Sequence, residues 1–169
     1  MQKNVDYSDA IKSKYPEQVV IAIARDRNGK ANPITLGWTM IASHDPPMMA
    51  IAVAKTHYSV EAIEHSRCFT IAYPSEEMSE AALFFGSNSG REVDKFEEFK
   101  CEIAPAAEID SVLLGDAVAN FECVLESHMI AGDHVIYVGN VVAAHVNTEP
   151  AKRLYTIGAD HKLGGVSCE

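Results

Sequence analysis

The chain has 169 residues, 47% of them hydrophobic and 22% charged, and a formal net charge of -10. That suits a single domain, residues 1–169, with enough apolar material for a real core. The acidic balance argues against nucleic acid or an anionic membrane surface as a partner. It leaves room for a small phosphorylated ligand, which one local cluster of donors can hold.

The opening MQKNVDYSDAIKSKYP lacks the apolar core of a signal peptide. No apolar run approaches the ~20 residues that cross a bilayer. Cys68, Cys101, Cys123 and Cys168 form no C-x-x-C pair and read as free thiols in a reducing compartment. Cys123 is placed in the core and Cys168 at the chain end. A cytoplasmic protein is expected.

Gln18 to Asp26, QVVIAIARD, is a short β-branched run closed by a turn signal at Asn28-Gly29. A buried strand is predicted from about Ile34 to Ser43, stopped by Asp45-Pro46-Pro47 because proline cannot donate to a sheet ladder. Met48 to Ala54 reads as the next buried strand. The period then turns helical. Val60, Ile63 and Arg67 share a face, with Ser59 at the N-cap position. CFTIAYP is a strand, and SEEMSEAALFFG a helix opened by Ser75 and closed by Gly86. A polar loop, SNSGREVDKFEEF, leads into a short helical turn.

The rest is mostly β. AVANFECVLES alternates, with Ala119, Phe121, Cys123 and Leu125 on the core side and Asn120, Glu122 and Glu126 on the polar side. AGD reverses the chain, and HVIYVGNVVAAHVN returns as a long strand with a bulge at Gly139. Tyr155 to Gly165 is either a cover over a groove or a plain tail. Strands dominate and the helices between them are short, so an antiparallel barrel, closed or nearly so, is expected.

Two stretches carry chemistry. Along NPITLGWTMIASHDPP, Trp38, Met40 and Ala42 share one face and Thr39, Ile41 and Ser43 the other. Hydroxyls on such a strand either satisfy a neighbouring strand or meet a flat, polar-edged ligand. AKTHYS, Ala54 to Ser59, then offers an ammonium, hydroxyls, an imidazole and a phenol at a helix start, where free amides and the dipole favour an anion. An apolar strand followed by a cationic helix start suits a phosphorylated aromatic cofactor.

The segments ITLGWTMIASHDPPMMAIAVAKTHYSVEAI and NSGREVDKFEEF, continued by AVANFECVLES and GDHVIYVGNVVAAHV, resemble the flavin reductase-like, FMN-binding split-barrel family, in particular its flavoredoxin-type members. The resemblance implies a mainly β protein with short helices, folded as an antiparallel Greek-key split barrel that dimerises and holds FMN near the dimer interface. By position, Trp38, Thr39, Met40, Ile41, Ala42 and Ser43 would line the flavin ring edge. Ala54, Lys55, Thr56, Tyr58 and Ser59 would lie around the ribityl phosphate, with a serine at 59 where the family often has threonine. Ser89, Gly90 and Lys95 would close the pocket.

Of the seven histidines, none pairs at H-x-x-x-H spacing, and no metal site is expected. His134 stands apart: it begins a strand where the family commonly places a histidine near the flavin, and a surface hairpin histidine is the competing reading. The function implied is an oxidoreductase that passes reducing equivalents from NADH or NADPH through FMN to a small-molecule or protein acceptor. The alternatives are a flavoprotein electron carrier with a protein redox partner, and a module that stores FMN. A homodimer is expected, with neither nucleic acid nor membrane as partner.

Overall fold

A computed structural model describes residues 1–149 and 151–167; Cys168 lies outside them. An exposed N-terminal arm carries α1 (Tyr7–Ala10) and a 3-10 turn (Ile11–Lys14). β1 (Glu17–Gln18) and β2 (Val20–Arg25) follow. The turn predicted at Asn28-Gly29 is present, with Gly29 at φ 78, a conformation that glycine adopts without strain. Then come β3 (Ala31–Leu36), β4 (Thr39–His44), β5 (Pro47–Ala54), α2 (Tyr58–Ser66) and β6 (Cys68–Tyr73). A 3-10 turn (Glu76–Met78) leads into α3 (Ser79–Ser87), then α4 (Lys95–Glu98), β7 (Ile103–Pro105) and β8 (Val112–Leu114). The long hairpin is β9 (Ala119–Ala131) and β10 (His134–Val146), and a last hairpin is β11 (Arg153–Gly158) and β12 (Lys162–Val166).

Seven strands form one antiparallel sheet in the order β3-β2-β6-β9-β10-β5-β4. The strands at its two ends, β3 and β4, are consecutive in sequence yet do not pair. The sheet therefore curls into a barrel left open along one seam, and Gly37 and Trp38 carry the chain across it. The pairings β2–β6 and β5–β10 are the long returns of a Greek key. This is the mainly β split barrel expected, with one correction. The single buried strand predicted from Ile34 to Ser43 is two strands, and the second is an exposed edge: Trp38, Met40 and Ile41 are 48%, 58% and 69% exposed.

β2 is buried on both faces, which explains its uninterrupted apolar sequence. Val20, Ala22 and Ala24 face the barrel interior with Ile51, Val53, Phe69, Ile71, Cys123 and Tyr137. Ile21 and Ile23 face outward under α3, against Ala81, Ala82, Phe85 and Leu114. Gly139 sits at the predicted bulge, where a Cβ would come within 2.8 Å of both Cys123 and Phe69.

Three further expectations are corrected. Ser59 does not cap α2; His57 holds the cap position, and the Ser59 hydroxyl is buried, accepting a hydrogen bond from Asn32 Nδ2 at 2.8 Å. Gly86 lies inside α3, which runs on to Ser87. On β9 the polar side is not solvated: Asn120 and Glu122 are buried beneath β8 and the loop before it. The segment Tyr155 to Gly165, read as cover or tail, is a sheet hairpin pairing with β1, and Thr156, His161 and Leu163 line a cavity of ≈ 310 Å³ beside Trp38. Among the described residues no helix is long and apolar enough to cross a membrane.

Candidate functional site

The seam edge is where the unusual chemistry collects. The Trp38 carbonyl accepts the Ala52 N–H at 3.0 Å and so points into the sheet. Backbone groups alternate in direction along a strand. Those of Thr39 and Ile41 therefore face away from β5, toward the seam. An edge strand with unpaired amides is a ready template for another molecule. Beside it lies a shallow apolar shelf of ≈ 250 Å³, lined by Trp38, Thr39, Met40, Ala50, Ile51, Ala52 and Ile136. Of the two readings open for the strand hydroxyls, Thr39 follows the structural one: its Oγ1 donates to the Ala50 carbonyl at 3.0 Å. The register slips between Ile41 and Ser43, a bulge that takes Ala42 out of the alternation.

At one end of the shelf stands His134, its ring centroid 4.5 Å from that of Trp38. Asp133 Oδ1 lies 2.7 Å from His134 Nδ1, and this contact holds the Asp133 carboxyl below its usual range. Beyond His134 is the start of α2, where no side chain caps the free amides of the first turn. His57 sits there with its pKa lowered, first by burial and then by the positive charges of Lys95, His134 and Arg91. A chain of net charge -10 has thus gathered His57, Lys95, His134 and Arg91 around one uncapped helix start. That donor set fits an anion.

Arg91 is held in place by three contacts. It donates to the Thr56 carbonyl at 3.1 Å, pairs with Glu61, and lies over the Tyr58 ring at 5.2 Å. The loop bearing it packs tightly: a Cβ on Gly90 would lie 2.0 Å from Asn32 Oδ1, so only glycine fits. Lys55 reaches from the end of β5 to the Gly132 carbonyl at 2.6 Å.

The profile of the flavin reductase like domain matches residues 12–164. The chain belongs to that family. Among its relatives is a flavin reductase of Pseudomonas putida, 27% identical over 149 residues, covering 88% of this chain and 84% of that one. The NADH-dependent FMN reductase AsuE2 of Streptomyces nodosus subsp. asukaensis is 31% identical over 112 residues, 66% of this chain and 60% of the relative. Flavoredoxin from Methanosarcina acetivorans superposes with a TM-score of 0.87 at 23% identity, covering 100% of this chain and 93% of that one, a likeness of fold.

In this flavin reductase-like barrel the expected residues fall into three groups. Trp38 to Ser43 form the seam edge, and Ala54 to Tyr58 with Ser89 and Gly90 surround the helix start. Ser59 and Lys95 lie behind it, both buried. The Lys95 ammonium donates to the carbonyls of Pro33 and Phe85 at 2.8 and 2.7 Å, and among the described residues no carboxylate pairs with it. Sequence reasoning missed Arg91, although it stands inside SGREVDKF, and counted the His57 imidazole of AKTHYS at the helix start without assigning it to the phosphate. It also missed Asn32, whose role depends on a contact 27 residues away.

Burial alone brings the Lys95 pKa down from 10.5 to about 8. A lowered lysine pKa costs the native state stability while the amine is charged. The cost is relieved between about pH 8 and 10.5, where the native chain has shed a proton the unfolded chain still binds. Flavin-free protein should therefore gain stability across that window relative to Lys95→Met, as urea unfolding of both at the two ends of the window will show.

Proposed function

We propose that the protein binds FMN along the open edge of β4 and passes reducing equivalents from NADH or NADPH through it to a small-molecule or protein acceptor. One observation carries this: a backbone edge bordered by an apolar shelf runs into an uncapped, cation-ringed helix start. FMN has a flat ring with a polar rim and, at the far end of a short chain, a phosphate. The N–H groups of Thr39 and Ile41 would donate to the rim, while Met40, Ala52 and Ile136 supply the apolar floor. The phosphate would be met by the first-turn amides of α2, Lys55, Thr56, His57 and Arg91, with Tyr58, Ser59, Ser89, Gly90 and Lys95 supporting that end.

Bound flavin supplies the hydride and electron chemistry; the protein's part is placement and electrostatics. Trp38 and His134 form the wall beside the shelf, where a nicotinamide would stack, and Asp133 fixes the imidazole. The names of the two reductases among the relatives support this reading. A homodimer is part of it. Val124, Met129 and Val142 leave apolar surface exposed on β9 and β10, and Met129 pairs with Ile136 of the shelf, so the surface continues from it for a second copy to cover.

The expected result is near-stoichiometric quenching of FMN fluorescence at micromolar protein and a scattering mass twice that of the chain. Anaerobic mixing with NADH or NADPH then bleaches the visible flavin band. Bleaching by neither nucleotide identifies an electron carrier instead. Absence of any FMN quenching overturns the proposal.

A further inference from the structure

A side chain from β1 reaches the seam-facing edge of β4. Gln18, on β1, donates from its Nε2 to the Thr39 carbonyl, the seam-facing group of β4. Its Oε1 accepts from Arg153 Nη2 at 3.1 Å. The direction of this relay is fixed at both ends, because a guanidinium only donates and a backbone carbonyl only accepts. Arg153 in turn is clamped: its guanidinium lies 3.7 Å from the Tyr73 ring centroid and 5.2 Å from that of Tyr155. Gln18 is itself aligned by pairing with Tyr155 across β1 and β11. A stacked arginine on the C-terminal hairpin thus holds an amide that holds the first carbonyl of the edge strand.

Resting on the FMN reading above, we infer that Gln18 is a positioning residue for the flavin ring, with Arg153 as its anchor. Two consequences follow from the chemistry. The bridge fixes the peptide plane after Thr39, and with it the direction of the next amides along β4. It also occupies the Thr39 carbonyl, so the edge near Thr39 and Ile41 presents two N–H donors and, of its two carbonyls, only that of Ile41 free to accept. Such an edge selects a ring rim rich in acceptors, as the flavin rim is at its carbonyls and unprotonated ring nitrogens. Gln18 lies outside every segment that carried the sequence resemblance.

The test is Gln18→Glu. A carboxylate keeps, and strengthens, the Arg153 link, so the hairpin stays docked, but it cannot donate to the Thr39 carbonyl. Both FMN and riboflavin should weaken by the same factor, roughly tenfold, leaving their affinity ratio unchanged, and the visible band of bound flavin should shift. Hydrogen exchange of the flavin-free variant should be faster at the Met40 amide, which pairs with β5 and shares its peptide plane with the Thr39 carbonyl, while circular dichroism is unchanged. Gln18→Met, which loses both links, should match or exceed it. Wild-type-like affinity for both flavins in Gln18→Glu overturns the inference, as does weakening of FMN alone. A wild-type chain that binds neither flavin overturns the FMN reading and this inference together, so the two failures are distinguishable.

Discussion

Replacing Lys55 and Arg91 together by alanine should abolish the preference for FMN over riboflavin. The two flavins share a ring and differ only in the phosphate, so their affinity ratio isolates the anion site. A charge-assisted hydrogen bond contributes roughly 1.5–3 kcal/mol, about ten- to a hundredfold in affinity. With two such donors removed, FMN should weaken on the order of a hundredfold or more. Riboflavin affinity should hardly move. Arg91 is the more informative half. Its guanidinium is already held by Tyr58, Glu61 and the Thr56 carbonyl, so it needs no further ordering to meet an anion. Lys55 must give up the Gly132 carbonyl to do the same. Arg91→Ala alone should therefore cost more than Lys55→Ala alone. Both residues are exposed at their charged ends, and far-ultraviolet circular dichroism should confirm an intact fold. Equal weakening of both flavins would show that the cluster shapes the pocket without reading the phosphate.

Much of this architecture was legible because local chemistry and final environment agree. The β2 run is apolar on both faces since it separates two cores, and AGD between two long alternating strands makes a hairpin. The bulge at Gly139 was visible as a glycine in a strand. What could not be read depends on distant covers and on the seam. NPITLGWTMIAS is apolar enough to pass for one buried strand. Its division at Gly37 and Trp38 comes from barrel closure, which leaves β4 as an edge. The site was legible as two motifs but not as one surface. Only the fold brings His134, 96 positions after Trp38 at the start of β10, against that ring and within the field of His57. Gln18 and Arg153 carry no local signal, because their meaning lies in a contact spanning 135 positions.

Glu122 shows the same limit and gives the largest expected effect on stability. By alternation it belongs on the solvent side of β9, yet it is 0% exposed. Its carboxylate accepts the backbone N–H groups of Ala107 and Glu108 at 2.8 and 2.7 Å and that of Ile109 at 3.2 Å. His145 Nε2 lies 2.7 Å from Oε1. The loop before β8 is thus folded around one buried acid, which explains both the burial and the choice of a carboxylate, the one side chain with acceptors enough for all four donors. Burial pushes the Glu122 carboxyl up, but the amides of Ala107 and Glu108, followed by the His145 ring, outweigh it and hold its pKa below the usual value. A depressed carboxyl stabilises the native state above its unfolded pKa, and that stabilisation is lost as pH falls through the folded value. Glu122→Ala should lose about 3–5 kcal/mol at neutral pH, since the imidazole and three amides lose their partner in a buried place. Glu122→Gln, nearly identical in shape, should lose a comparable share, because its amide nitrogen turns a donor toward donors. Both variants should unfold less steeply in acid than wild type, having no carboxylate here left to protonate. Urea unfolding of the three proteins at neutral pH and in acid measures all of this. A Glu122→Gln variant as stable as wild type would mean that the loop is held by its apolar contacts and that the acid is incidental.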